Sequence, residues 1–458
     1  MKTFNPASSS ALPAGLPKPD ALDFKPPHGG RFVLENGMVV YLMKDNTLPV
    51  VHLTAFIRTG KLNDPAEKIG LGELTAGLLK DGGTLNYKPE EIDKTLEFLG
   101  ASVDSSMGIE EGRADLTALT KDLDTVLDIF ADVLMNPAFD PAKTELRRDE
   151  MLEMVRRRND DTGRAVTRDA LRVFYGPGHP YGWRNEEATV NAVTIADMKA
   201  CHANYYRPNN IILAASGDFA SDEELLAKLN KRFGAWRRGE VKFPVIPPVR
   251  LAGGRRVYHV EKDIAQTYIV MLMKGIKRHD PAEYPLTVAN EIVGGGSGLS
   301  SRLAAEIRSR KGLAYSVYSY PAKKPDYGYS LAYCGTKPET CAQALDEMLR
   351  QFDLIGREAA PEEEVKMARD AIVNSFVFKF PTPFELVCER ASYEYYGYRP
   401  DYLDTYVSKL SAVGPAEVLA AAKELYRPDG ALLFVIGSSK KFDRPLSSFG
   451  PVTELPED

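Results

Sequence analysis

Apolar and polar residues alternate along residues 31–44 on both sides of a Glu-Asn-Gly turn, and this alternation predicts a β-hairpin. The spacing of the apolar residues then changes. Leucines at helical spacing between residues 69 and 80 predict a helix, and longer helical patterns follow over residues 121–135 and 141–159. Strands, then helices, then strands again predict an α+β fold in which an antiparallel-rich sheet packs with helices.

A second change of pattern lies between residues 294 and 320. A glycine-rich turn precedes a helical pattern, which runs through several cations to Gly312 and continues into a strand-like, aromatic run. The apolar positions of this helical pattern are Leu299, Leu303, Ala304 and Ile307. Arg308 and Tyr315 lie on either side of this predicted joint, where a guanidinium and a phenol could face one cavity and donate hydrogen bonds to a carbonyl oxygen. The alternative is a solvated cation and an ordinary strand aromatic.

Two internal matches indicate that the chain is duplicated. Residues 192–208 match residues 412–428 without a gap, and each copy leads into an apolar strand. The segment Asp-Pro-Ala-Glu at residues 64–67 recurs at residues 280–283, at nearly the same offset. We therefore predict two homologous repeats of about 200 residues each.

These matches and the composition suggest a division into five parts. We predict an extended tail over residues 1–30, an N-terminal α+β repeat over 31–236, a Pro-rich linker over 237–254, a C-terminal α+β repeat over 255–446 and a tail over 447–458. Two similar repeats on one linker can face each other like a clam shell, and ligand sites often lie between such domains.

Composition excludes several classes of function. The chain has 458 residues, 44% of them hydrophobic, and a net charge of −6 with acidic and basic residues interspersed. This distribution gives no basic surface for nucleic acid, and no apolar run is long enough to span a membrane. The tail over residues 1–30 is rich in Pro, Ser and Ala, as after a removed export signal, so we expect a periplasmic or secreted protein, with a cytoplasmic location as the alternative.

The sequence contains no complete catalytic centre. Its four cysteines form no C-x-x-C pair, and no two of its six histidines are spaced to share one helical face as metal ligands. It also contains no P-loop and no G-x-S-x-G nucleophile motif. We therefore predict no metal site and no cofactor in this chain.

The duplication, the segment G-H-P-Y-G at residues 178–182 and the run S-S-R-L…R-x-x-x-G-L-A-Y-S-V at residues 300–317 together resemble the pitrilysin/insulinase-type zinc peptidases. The similarity is greatest to half-length members typified by mitochondrial processing peptidase and its bacterial relatives. It covers residues 31–442, nearly the whole chain. The resemblance implies a pair of α+β repeats and a dimer that encloses a peptide-binding chamber.

The resemblance also shows what this chain lacks. Active members carry an inverted H-x-x-E-H motif, with two zinc ligands flanking the general base and a distal Glu completing the site. At the matching positions this chain has Glu73 and Gly77 in place of the two histidines and Ala76 in place of the base. The distal ligand would fall near Glu150, Glu153 or Met154. The resemblance therefore implies a degenerate zinc site.

The Arg and Tyr of the family's C-terminal repeat match Arg308 and Tyr315 in type and spacing. This implies a zinc-free subunit that meets peptide substrates through Arg308 and Tyr315, pairs with a zinc-bearing paralogous subunit and is inactive alone. The alternatives are a catalytically inactive core or scaffold subunit and a peptide-binding homodimer. His179 and Tyr181 are expected to shape a loop rather than to bind a ligand.

Overall fold

The computed structural model describes residues 26–249, 253–296 and 300–457. Most of the predicted tail over residues 1–30 and part of the glycine-rich turn, with Leu299, lie outside this part. The strands are β1 (Gly30–Val33), β2 (Val39–Lys44), β3 (Val50–Ile57), β4 (Ser102–Met107), β5 (Gly112–Leu119), β6 (Ile211–Gly217), β7 (Arg256–Glu261), β8 (Thr267–Lys274), β9 (Ala314–Ala322), β10 (Tyr329–Thr336), β11 (Leu432–Gly437) and β12 (Val452–Leu455).

Helices separate these strands. The α-helices are α1 (Leu71–Asp81), α2 (Pro89–Leu99), α3 (Leu123–Met135), α4 (Pro141–Arg156), α5 (Thr162–Tyr175), α6 (Glu187–Asn191), α7 (Ile195–Tyr205), α8 (Asp222–Phe233), α9 (Glu283–Val293), α10 (Cys341–Arg357), α11 (Glu362–Phe376), α12 (Pro383–Tyr395), α13 (Tyr402–Ser411) and α14 (Pro415–Leu425). A π-helix spans Ala304–Arg310. None of the helices in the described ranges is long and apolar enough to cross a membrane.

The strands form two six-stranded sheets with the orders β1-β2-β6-β3-β5-β4 and β12-β7-β11-β8-β10-β9. Five neighbouring strands of one sheet correspond in order to five of the other, from β2 to β4 and from β7 to β9. The sense of pairing also agrees, since β2–β6 and β7–β11 are parallel and the pairs that follow are antiparallel. The predicted α+β fold with two homologous repeats is confirmed.

The sixth strand differs between the sheets. In the first sheet, β1 pairs antiparallel with β2, as the Glu-Asn-Gly turn predicts. In the second sheet, β12 pairs parallel with β7 and comes from residues 447–458, which the sequence analysis treats as a tail. Strand β12 is short, and only Val452 and Leu455 are half-buried in it. This apolar pattern is too weak to predict a strand from the sequence.

One helix from each half of the chain packs on the sheet of the other half. Helix α5 packs Val166, Ala170 and Phe174 against strands β8 and β11 of the second sheet. Helix α12 packs Leu386 and Ala391 against β2 and β6 of the first sheet. Because burying a large apolar side chain contributes about 1.5–3 kcal/mol, this exchange ties the two halves together.

Candidate functional site

Arg308 and Tyr315 lie on either side of the turn that joins the π-helix to β9. The apolar positions Leu303, Ala304 and Ile307 face the core, as predicted, with at most 4% of each exposed. Gly312 ends the helix with φ of 63°, a left-handed conformation that favours glycine. The sequence predicts an α-helix here, whereas residues 304–310 are π-helical, a widened form often found at functional sites.

A β-bulge sets the position of Tyr315. Ser316 lies opposite Gly335, whereas Ala314 lies opposite Thr336, so Tyr315 is the extra residue of β9. A bulge bends the strand and redirects the side chain of its extra residue. Tyr315 is 78% exposed as a result of its place at this bulge and strand end.

The guanidinium of Arg308 stacks on the phenol of Tyr315, with Cζ 4.6 Å from the ring centroid. Both side chains line one cavity of about 590 Å³. Its lining residues are Ala265, Gln266, Arg308, Gly312, Leu313, Ala314, Tyr315, Gly335, Thr336 and Lys337. The structure therefore places the two predicted residues together, with their donor groups beside open space.

The neighbouring cations are held by carboxylates. Arg302 pairs with Glu364 at 2.6 Å, and Arg310 pairs with Glu306 at 2.8 Å. Within the described residues, no carboxylate lies at ion-pair distance from Arg308. Its guanidinium donors therefore remain available for a ligand.

Lys311 anchors the end of the π-helix to the core. Its ammonium lies 2.7 Å from the carboxylate of Glu347, which is almost fully buried on α10. Burial raises the pKa of Glu347, but hydrogen bonds from Arg350, Lys311 and Gln351 outweigh it and lower the pKa to about 2. Glu347 is therefore ionised at neutral pH and fixes the turn that carries the Arg308–Tyr315 pair.

In the first half, Glu73 lies on α1, where the family motif has its first histidine. Its carboxylate pairs with the ammonium of Lys61 and accepts a hydrogen bond from Asn185 Nδ2 at 2.5 Å. Both carboxylate oxygens are thus engaged by protein donors. The other motif position, Ala76, offers only its backbone carbonyl, which accepts a hydrogen bond from the hydroxyl of Ser105.

Arg147 covers Gly77, where the second histidine would stand. A Cβ on Gly77 would lie 2.8 Å from Arg147 Nε and 3.2 Å from one terminal nitrogen. The same guanidinium pairs with Glu150 at 2.8 Å. A histidine at residue 77 would therefore displace the guanidinium of Arg147, and Glu150, one of the expected distal ligands, is already bound to a cation.

The start of α1 is held by the buried carboxylate of Asp64, the first residue of the Asp-Pro-Ala-Glu segment that recurs in the second half. Asp64 accepts hydrogen bonds from the backbone N–H groups of Gly70 and Gly72, both at 2.9 Å. Burial raises the pKa of Asp64 to about 7, although these two hydrogen bonds oppose the shift. Asp64 therefore serves to cap the helix.

These residues do not fit a zinc ion. The carboxylate of Glu73 and that of Glu150 are paired with cations, Met154 is largely exposed, and no histidine stands at the motif. No group of three or more His, Cys, Asp or Glu side chains in the described ranges is arranged to hold a metal. The resemblance identified the missing ligands but not Lys61, Arg147 and Asn185, because contacts between residues far apart in the chain have no local sequence signature.

His179 and Tyr181 belong to a packed loop. His179 is 4% exposed and accepts a hydrogen bond from the backbone N–H of Tyr181 at 3.1 Å. Its ring stacks on those of Tyr175 and Tyr181 at centroid distances of 5.3 and 5.2 Å. Burial lowers the pKa of His179, so the imidazole is neutral at neutral pH.

Two family models match the chain in succession. The model described as Insulinase (Peptidase family M16) matches residues 39–175, and the model described as Peptidase M16 inactive domain matches residues 192–372. Together they cover more than half of the chain. The chain belongs to peptidase family M16. This confirms the resemblance to the pitrilysin/insulinase-type peptidases.

M16 relatives match over most of the chain. The uncharacterized zinc protease YmxG of Bacillus subtilis is 22% identical over 408 residues, which cover 88% of this chain and 97% of that protein. Mitochondrial cytochrome b-c1 complex subunit 1 of Bos taurus is 25% identical over 361 residues, which cover 75% of this chain and 72% of that protein. The crystal structure of a peptidase M16 inactive domain from Pseudomonas fluorescens superimposes with a TM-score of 0.83 at 22% identity, covering 92% of this chain and 100% of that one. The fold is thus that of M16 proteins.

Proposed function

We propose that this chain is the zinc-free subunit of a two-chain M16 metalloendopeptidase, to which it contributes Arg308 and Tyr315. The observation that carries the proposal is the contrast between two sites. Arg308 and Tyr315 stack beside an open cavity with their donors free of carboxylates, whereas Glu73 and Gly77 are covered by Lys61, Asn185 and Arg147.

In this proposal the two residues act on the peptide. A guanidinium and a phenol can both donate hydrogen bonds to one carbonyl oxygen, and both donors become more favourable as that oxygen gains negative charge. Arg308 and Tyr315 would thus orient the peptide and stabilise the oxyanion. The zinc ion and the general base that supply the activated water would belong to a paralogous partner with an intact H-x-x-E-H motif.

The test is a mixing experiment. The chain purified alone is expected to contain no stoichiometric zinc by elemental analysis and to cleave no unstructured fluorogenic peptide. Addition of a zinc-bearing paralogue should produce chelator-sensitive cleavage. One tightly bound zinc per chain, or robust chelator-sensitive turnover by the chain alone, would contradict the proposal.

A non-catalytic scaffold subunit is the second candidate. It is favoured by the relative named as a subunit of the cytochrome b-c1 complex, since that name describes a component of an assembly. The mixing experiment separates the two candidates. The scaffold function is favoured if a paralogue cleaves peptides equally well with and without this chain, but assembles into a complex only when this chain is present.

A further inference from the structure

A row of tyrosines extends along β8, β10 and β9 from the cavity of Arg308 and Tyr315. This tyrosine row consists of Tyr268, Tyr333, Tyr318 and Tyr320. The ring centroids of successive members lie 6.4, 5.0 and 6.4 Å apart. The rings share one face of the second sheet, because Tyr318 lies directly opposite Tyr333 and Tyr320 follows two residues later.

The tyrosine row begins next to the cavity. Gln266 and Gly335 line the cavity, and a Cβ on Gly335 would lie 2.5 Å from Gln266 Nε2 and 3.6 Å from the hydroxyl of Tyr333. The other side of Tyr333 is closed by α5, since a Cβ on Gly163 would lie 3.5 Å from the same hydroxyl. A ligand that leaves the cavity along the sheet therefore meets these rings.

The outer members of the row are available to a ligand. Tyr318 is 43% exposed and Tyr320 is 36% exposed. Burial of their inner edges raises the pKa of both phenols, so both are neutral at neutral pH. Neutral aromatic rings with an exposed face favour contact with other aromatic side chains.

The free edge of β9 is blocked next to the row. The N–H of Ser319 donates to the carbonyl of Gly294 at 2.8 Å, and the carbonyl of Ser319 accepts from Asn290 Nδ2 at 3.2 Å. Pro321, the next residue with the same orientation, has no N–H to donate. A peptide therefore cannot pair with this part of β9 as an added strand, and recognition falls to side chains.

We propose that the tyrosine row binds an aromatic side chain of an extended peptide whose carbonyl group contacts Arg308 and Tyr315. The contact with that carbonyl rests on the function proposed above, whereas the aromatic contact does not. Tyr315 and Tyr318 lie three residues apart on one strand, a span of about 10 Å. The aromatic residue would thus lie about three residues from the contacted carbonyl.

The test measures peptide binding to this chain alone, by fluorescence anisotropy. The probes are two fluorescein-labelled ten-residue peptides of Gly, Ser and Ala, one of which carries a single Phe. The Phe peptide is expected to bind about 2- to 10-fold more tightly. The double variant Tyr318→Thr with Tyr320→Thr should remove this preference, and Tyr318→Phe should keep it because the ring remains.

Phe98→Thr provides a matched control, since Phe98 is an aromatic ring on α2 that is 88% exposed. It should leave the preference for the Phe peptide unchanged, and thermal unfolding should show that every variant is folded. The proposal would be overturned if the chain binds the two peptides with equal affinity or binds neither. It would also be overturned if the double variant keeps the preference for the Phe peptide but changes the oligomeric state of the chain.

Arg308→Ala separates this proposal from the previous one. This variant should weaken the binding of both peptides equally and leave the ratio of their affinities unchanged. If the ratio persists but Arg308→Ala has no effect, the tyrosine row stands and the proposed role of Arg308 fails. If Arg308→Ala weakens the binding of both peptides but the two peptides bind the chain with equal affinity, the proposed role of Arg308 stands and that of the tyrosine row fails.

Discussion

The helix–glycine–strand joint that carries Arg308 occurs in both halves of the molecule. In the first half α2 ends at Gly100, with φ of 60°, and leads into β4. In the second half the π-helix leads through Gly312, with φ of 63°, into β9. The two joints occupy the same place in their sheets, because β4 and β9 are the corresponding edge strands.

The second joint differs from the first by a π-helix in place of an α-helix and by the β-bulge at Tyr315, so residues counted from the two glycines are not equivalent. Leu96 is 5% exposed and Val103 is 1% exposed, whereas Tyr315 is 78% exposed. The repeat fold therefore forms this joint in the first half from buried apolar residues, without the π-helix or the bulge. A polar, exposed pair in only one copy is not a requirement of packing, which supports a functional role for Arg308 and Tyr315.

The first prediction tests this difference by activity. In the complex with a zinc-bearing partner, Arg308→Ala and Tyr315→Phe should each lower kcat/KM by about ten- to a thousand-fold, because one oxyanion donor typically contributes 10²- to 10³-fold. Tyr315→Phe should be the milder change, since it keeps the ring on which the guanidinium stacks. Steady-state kinetics with a fluorogenic peptide measure the effect.

Arg310→Ala is the control for these variants. Its guanidinium lies two residues from Arg308 and pairs with Glu306, so its loss should change kcat/KM little. The double variant should lose less than the product of the single losses, because both donors act on one carbonyl. Equal losses for Arg308→Ala and Arg310→Ala would show that the helix end acts through its charge alone.

The second prediction replaces the polar pair of the second half with apolar residues of the kind found in the first joint. Arg308→Leu combined with Tyr315→Val should abolish activity in the complex yet change the free energy of unfolding by less than about 1 kcal/mol, as expected for exposed positions. Urea denaturation followed by circular dichroism measures this change. A loss of several kcal/mol would show that the Arg308–Tyr315 stack supports the fold.

The third prediction concerns Glu347, the buried carboxylate behind the second joint. Glu347→Gln removes the partner of Lys311 and Arg350, and we expect a loss of about 1–3 kcal/mol at neutral pH. The pKa of Glu347 is lowered from 4.5 to about 2 in the folded chain, so its ionised form stabilises the fold above about pH 4.5. This contribution is lost as the pH falls from about 4.5 towards 2.

Urea denaturation at several pH values checks this prediction, and the difference between the two proteins should shrink over that acid range. Asp346→Asn is the matched control. Asp346 is adjacent in sequence but pairs with Arg444 at the surface, so its loss should cost at most about 1 kcal/mol. Similar losses for the two variants, or a difference that is independent of pH, would contradict the role given to Glu347.

Sequence patterns predicted what depends on local spacing. The hairpin of β1 and β2 and the buried face of the helix before Gly312 follow from periods of two or about four residues, and the duplication follows from two ungapped internal matches. The exchange of α5 and α12 between the halves did not follow, because an amphipathic helix shows that it needs a partner without showing which sheet provides it. Strand β12 and the bulge at Tyr315 likewise depend on pairing with distant strands.

The site was predicted in the same uneven way. The resemblance to the zinc peptidases pointed to Arg308 and Tyr315 and to the degenerate motif positions Glu73, Ala76 and Gly77. What fills the space over the motif was not visible, because Arg147 lies on another helix, 70 residues beyond Gly77. A glycine in a helix interior is a signal that some other group approaches the backbone, and it could have suggested such a neighbour.

The last prediction, which has the smallest expected effect on stability, concerns the contact between Gly77 and Arg147. Gly77→Ala should change stability little, because two effects oppose each other. Alanine favours a helix interior over glycine by about 1 kcal/mol, but its Cβ would lie 2.8 Å from Arg147 Nε and would displace the guanidinium from Glu150. With Arg147→Ala the obstacle is absent, and Gly77→Ala should then stabilise the chain by about 0.5–1 kcal/mol. A double-mutant cycle by urea denaturation measures this coupling. If Gly77→Ala stabilises both backgrounds equally, Arg147 does not close the first-half site, and the contrast between the two halves would rest on the second half alone.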